Sequence, residues 1–272
     1  MRPRHPGSRW LWSLGGLAIV VVLLFPIYWL VSASLQASAS SATMTVVPTS
    51  PSLQGYANAM ERMLSPIQTS LIVAAGAVLL TLLISVPAGF ALSRLRGRVV
   101  DVALLGVLLA QMVPNITLLN ALYAMFNTMG ILNSHLALII ANATSAVPFA
   151  VIVLRSFMLS LDSEVLEAAM IDGASTLQRL WRIVVPLGRN AIITAGVFAF
   201  IFTWGDFLIG QTLTRSPEVR PAVVAIFHIM DAPTVDWSTV MSAAAMTALP
   251  AAILLIFSQR YIKAGIGAGA GR

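Results

Sequence analysis

Apolar residues in this chain run unbroken for long stretches, and the polar residues gather between the runs. A helix rises about 1.5 Å per residue, so about 20 apolar residues cross the ~30 Å hydrocarbon core of a bilayer. By that measure the chain predicts six spans, at about 12–31, 67–92, 102–126, 136–158, 191–213 and 240–262. The expected fold is an all-α integral membrane protein, with residues 1–272 forming a single transmembrane domain. The first run has a basic start and ends at Ser32-Ala33-Ser34, features that also suit a cleavable signal peptide. Its length favours a span.

The runs are not uniformly greasy. Pro87, Gln111, Pro114, Asn115, Asn120, Asn142 and Pro148 fall inside them, and residues of these types at membrane depth face protein or water, not lipid. Gln111, Asn115 and Asn120 are therefore candidates for lining a solute pathway, since a hydroxyl-rich solute needs amide partners. Asp206 is the only acidic residue within a predicted span, and a charge at the centre costs about 2.5–3.5 kcal/mol on insertion scales. A pathway-facing position relieves that cost. Trp204 beside it offers an aromatic face on which a sugar ring can stack. A water-exposed Asp and an interfacial Trp anchor are the competing reading for this pair.

Composition agrees with the pattern: 58% of residues are hydrophobic and 10% charged, far from an average soluble domain. The net charge of +6 does not point to nucleic acid, because the basic residues sit at the ends of the apolar runs. With the amino terminus inside, Arg2, Arg4, Arg9, Arg94, Arg96, Arg98, Arg155, Arg179, Arg182, Arg189, Arg260, Lys263 and Arg272 fall on the cytoplasmic side. Only Arg62, Arg215 and Arg220 fall outside. Thirteen basic residues against three set the expected orientation, with both termini cytoplasmic. Residues 36–66 and 214–239 are then the two long outer loops, and the mixed charge of the second suits either plain solvation or a surface for a soluble binding protein.

One polar island stands out. Residues 162–186, DSEVLEAAMIDGASTLQRLWRIVVP, hold four of the ten carboxylates. Asp162 or Ser163 can cap a helix of about nine residues, with Glu164 and Glu167 near its positive end and Gly173 as a left-handed stop. Ser175 and Gln178 fit a capping box that opens a second short helix, which Pro186 is expected to close. On that helix Leu177, Leu180, Trp181 and Val184 share a face. In the first helix Glu167-Ala168-Ala169 sets two methyl groups beside a carboxylate. Another protein's backbone can approach such a surface closely.

At these residues the chain resembles a known family. Glu167-Ala168-Ala169, then three residues and Gly173, and Ile183 with Val185-Pro186 further along are similar to the EAA signature of inner-membrane permeases of binding-protein-dependent ABC importers. Val185-Pro186 stands where Leu-Pro is usual. Pro148 and Phe149, and Phe200-Ile-Phe-Thr-Trp-Gly-Asp-Phe207, resemble the carbohydrate branch. That resemblance implies the type I importer permease fold in a bacterial inner membrane, working by alternating access. It implies a heterodimer with a second permease, two ATPase subunits and an extracytoplasmic sugar-binding protein. Within the loop 162–189, Glu164, Glu167, Ala168, Ala169, Asp172 and Gly173 would dock on the ATPase.

Other chemistries are thinly represented. The chain has no Cys, three scattered histidines and one lysine, Lys263, so thiolate metal sites and a phosphate-binding loop have no residues to build them. No cofactor is expected in this chain; ATP and Mg would be bound by the partner ATPase. The chain itself is expected to be non-catalytic. A permease for an amino acid or peptide, or an ion-coupled secondary transporter, is the alternative, although the latter wants ionisable groups near the midplane and only Asp206 is available.

Overall fold

The computed structural model describes residues 6–37 and 45–267, and it is helical throughout apart from turns and one isolated bridge. Arg2, Arg4 and Arg272 lie outside the described residues. The chain divides into two compact units, one made of residues 1–64 and 226–249 and the other of 65–225 and 250–272.

In the first unit, helix α1 (Pro6–Ser34) carries the first apolar run. None of its most apolar window is buried by the rest of the chain. Its last turn is tied down: the hydroxyls of Ser34 and Tyr56 lie 2.8 Å apart, and Ser242 donates to the Ser34 carbonyl. Gly55 sits where a Cβ would come within 2.8 Å of the Ser238 carbonyl, so glycine permits a close backbone approach here.

Helix α2 (Gln54–Arg94) is 41 residues, about 60 Å at the helical rise, longer than the expected span of 67–92. Pro66 and Pro87 are both inside it. Residues 54–66, expected within the first outer loop, are instead the first part of α2.

The second unit is organised around α5 (His135–Leu159) and α9 (Arg189–Trp204). Alanines line both: Ala137, Ala141, Ala146 and Ala150 on one, Ala191, Ala195 and Ala199 on the other, all buried. Small side chains let membrane helices approach closely, where dispersion and not water exclusion holds them together. Two cores result. One gathers Val86, Phe90, Leu154, Met158, Leu166, Leu180 and Val184. The other gathers Val73, Leu119, Phe126, Leu138, Ile209 and Leu213.

The third predicted span is not one helix. α3 (Arg98–Met112) and α4 (Asn115–Thr128) meet at a 95° bend. Val113 precedes a proline and is extended (φ −71°, ψ 123°), as the clash with the proline ring demands.

The polar island forms α6 (Ser163–Ile171) and α7 (Thr176–Arg179), then a π-helical turn Leu180–Val184 that runs into the short α8 (Val185–Leu187). Pro186 does not close the second helix. Widening to the π turn redistributes the backbone bonds, with Val185 N–H reaching back to Leu180 O, and the proline is carried inside the segment. The chain turns instead at Gly188, 81° into α9, where a Cβ would meet the Val184 carbonyl and the Phe157 ring at 2.8 Å.

The fifth span likewise ends early, at Trp204, and α10 (Leu208–Leu213) follows. Residues 214–239 are not an irregular loop: they hold a 3-10 turn at Pro217–Val219 and α11 (Ala222–Met230). α12 (Trp237–Gly267) carries the last span. Among the described residues, four helices are long and apolar enough to cross a membrane, and the two bent pairs raise the number to as many as six.

Candidate functional site

Two features of the second unit gather most of the residues expected from the sequence. The first is the α6 corner. Asp162 caps α6 by accepting from Glu164 N–H at 3.0 Å. At its other end Gly173 N–H bonds Met170 O and Ala174 N–H bonds Ala169 O, a Schellman pair that requires the left-handed φ of +80° at Gly173. Ser175 and Gln178 form the reciprocal capping box of α7. Local hydrogen bonds thus set the corner.

Glu164, Glu167, Ala168, Asp172 and Gly173 are exposed, and Ala169 is half-buried. The three carboxylates make no ion pair among the described residues. Leu166 is the root: it is 5% exposed and sits in the core shared by α2, α5, the π turn and α9. Sequence reasoning passed over Leu166, although a lone leucine opposite Glu164 and Glu167 was a readable amphipathic signal. It also passed over Ile171, which is 88% exposed, with Met170 and Val165 also exposed nearby. Of the shared face expected on the second helix, Leu180 and Val184 are buried, whereas Leu177 and Trp181 are exposed.

The second feature is a cavity of about 400 Å³ at the α3–α4 break. Gln111 and Asn115 flank the break and line it, with Asn142, Thr144, Ser145 and Asp206 supplying further polar groups and Phe149 and Phe202 the aromatic wall. The two rings pack edge to face at 6.0 Å. No basic side chain lines it among the described residues. A broken helix that lines a cavity is how non-helical backbone is accommodated at membrane depth. Asn120 is exposed and is not among the lining residues, and neither is Trp204, which is buried and stacks on Phe200 at 5.2 Å. Asn142 is buried; its amide donates to Leu138 O at 2.9 Å and the side chain lines the cavity.

Asp206 has a structural task as well. Its Oδ2 accepts from Ile209 N–H at 2.9 Å and Gly210 N–H at 3.3 Å, holding the start of α10. It also borders a neighbouring space of about 10 Å³, room for about one water, with Ser70, Asn142 and Thr203.

Beyond α10 the chain is clasped to the α4–α5 turn. Asn133, held at φ +57°, accepts from Arg215 and Ser216 N–H through Oδ1 and donates to Ser216 Oγ through Nδ2. Arg215 donates to the Tyr123 hydroxyl and lies over its ring. Close by, the Ser216 hydroxyl holds the exposed Glu218 carboxyl below the usual carboxylate range, with Arg220 a smaller influence in the same direction.

Comparisons with known proteins agree with this geometry. Residues 83–267 match the family described as binding-protein-dependent transport system inner membrane component. The chain is 30% identical to the inner membrane ABC transporter permease protein YcjP of Escherichia coli, over 93% of each chain. It is 31% identical to the sulfoquinovosyl glycerol transport system permease protein SmoH of Agrobacterium fabrum, over 90% of this chain and 88% of that one. It is 27% identical to the trehalose/maltose transport system permease protein MalG of Thermococcus litoralis, over 97% and 96%. Among solved structures, a bacterial ABC transporter involved in the import of the acidic polysaccharide alginate shares the fold, with a TM-score of 0.81 at 20% identity over 96% of this chain and 99% of that one. This chain, a multi-pass inner-membrane protein, therefore belongs to the family of binding-protein-dependent transport system inner membrane components.

Proposed function

We propose that this permease forms half of the pathway of an ATP-driven sugar importer and that α6 is the part an ATPase pushes. The observation that carries the reading is the construction of α6. Its outer surface offers three unpaired carboxylates and the bare side chain of Ile171, while Leu166 roots it in the core of the bundle. A force applied to such a helix reaches α2, α5 and α9 directly.

The chain supplies no catalytic group; ATP and Mg belong to two partner ATPase subunits. A second permease completes the pathway, and α1, unburied over its apolar window, is the surface for lipid or that partner. A sugar-binding protein delivers the solute from outside. The relatives named for sulfoquinovosyl glycerol and for trehalose and maltose favour a sugar over an amino acid or peptide. The cavity at the α3–α4 break suits one: its amides, hydroxyls and Asp206 match ring hydroxyls, and Phe149 and Phe202 match the apolar ring face. Closure of the ATPase dimer turns the cavity outward, and hydrolysis resets it.

Gly173→Leu tests the coupling. Open space surrounds the position, so the cost of a side chain there is the left-handed backbone alone, about 1–2 kcal/mol. In vesicles holding the whole complex, uptake per ATP hydrolysed is expected to fall while the amount of inserted permease stays constant. Unchanged coupling, or uptake driven by an ion gradient without ATP, contradicts the proposal.

A further inference from the structure

A second cavity, of about 690 Å³, lies between the last turns of α2 and the α6–α7 corner. Its walls are mostly apolar: Pro87 and Phe90 from α2, Leu166, Met170 and Leu180 from the corner. Two arginines, Arg94 and Arg179, are on the lining. Arg94 donates to the Met158 carbonyl at 2.8 Å and lies over the Phe90 ring at 5.8 Å. Arg179 donates to Thr176 Oγ1 at 3.1 Å, while its Nε is buried with no partner. The two side chains share this one lining, and among the described residues neither has a carboxylate within ion-pair distance. Glu167, exposed on α6, is the one acidic residue on the lining.

Two arginines lining one apolar hollow suit a ligand that carries both an anionic group and hydrocarbon. Arg94 stands just past the apolar run 67–92 within α2, at the end of that run, where lipid headgroups lie. We infer that this cavity binds an anionic phospholipid, its phosphate between Arg94 and Arg179 and an acyl chain along Phe90, Leu166 and Met170. The inference rests on the reading above that this corner faces the cytosol, whose leaflet holds the anionic lipid. A lipid seated there bridges the end of α2 to the root of α6, so the lever works against a lipid-filled joint.

The test uses the intact complex in nanodiscs of phosphatidylcholine with phosphatidylglycerol, extracted and weighed by native mass spectrometry without nucleotide. Phosphatidylglycerol is expected to stay bound, with retention falling about fivefold for Arg179→Gln and by about that factor again when Arg94→Gln is added. Arg182→Gln, an exposed arginine of the same loop that does not line the cavity, should leave retention unchanged. Met170→Trp fills the hollow without touching charge and should also expel the lipid, which keeps the test decisive if Arg94→Gln disturbs the fold. Equal retention of phosphatidylcholine, displacement by millimolar inorganic phosphate, or loss of ATPase subunits from the double variant with lipid retention intact would each overturn the inference. Because no turnover is read, these results are separate from any failure of coupling.

Discussion

Ile171→Asp is expected to strip the ATPase subunits from the purified complex while the permease itself stays folded and inserted. Ile171 is 88% exposed and lies in neither hydrophobic core of the second unit, so changing it costs the isolated permease little. An isoleucine this bare, on a helix outside the membrane runs, gains stability only when another protein covers it. Residues that anchor an interface lose 2 kcal/mol or more when altered, about 30-fold in affinity, and a buried unpaired carboxylate adds to that cost. Titration of the purified ATPase onto permease in nanodiscs reads the effect directly. Wild-type affinity would mean that α6 is not the contact.

The second large effect is expected at Leu166→Ala, and its signature is the opposite. The outward surface of α6 is untouched, so ATPase binding should stay near the wild-type value. Removing a leucine that is 5% exposed among Leu154, Met158, Leu180 and Val184 costs about 2–5 kcal/mol through lost contact and cavity. That loss falls on the seat through which α6 meets α2, α5 and α9. Hydrolysis should continue while solute uptake drops at least about tenfold, given that a lost 1.4 kcal/mol of coupling is already a factor of ten. The ratio of uptake to phosphate release in vesicles measures it. Binding lost together with uptake would show that Leu166 shapes the docking surface, not the transmission.

The α6 corner was legible in the sequence because its determinants are local. Asp162, Gly173, Ser175 and Gln178 act within three or four residues of themselves, and the hydrogen bonds they imply are the ones found. Four of the six apolar runs were legible as continuous helices from length and apolarity alone. The break in the third was not, and the reason is physical. Pro26, Pro66, Pro87, Pro148 and Pro250 all sit inside continuous helices, so a proline at 114 did not by itself announce a 95° bend. The distinguishing feature is that Pro114 lies between Gln111 and Asn115, two polar residues with a cavity to face.

The same bend decides which amides meet. Gln111 and Asn115 lie at the turn and share the cavity with Asn142, while Asn120, farther along α4, is carried outward. A straight helix would have ordered them differently. Trp204, chosen for its aromatic face, is taken up by Phe200, and the rings that do line the cavity are Phe149 and Phe202. Ring-to-ring packing across α5 and α9 is a tertiary fact that spacing along one helix does not encode. Asp206 drew attention as an isolated charge, and the backbone of α10 accounts for one of its oxygens.

The chain has no cysteine, so a single introduced thiol reports without interference. Ala168→Cys places one on the exposed side of α6. In the assembled complex during ATP turnover, this thiol is expected to cross-link to an ATPase subunit bearing a partner cysteine and to be shielded from a membrane-impermeant maleimide. Rapid labelling of Cys at 168 throughout turnover, with no cross-link formed, would contradict the claim that α6 is the surface on which the ATPase acts.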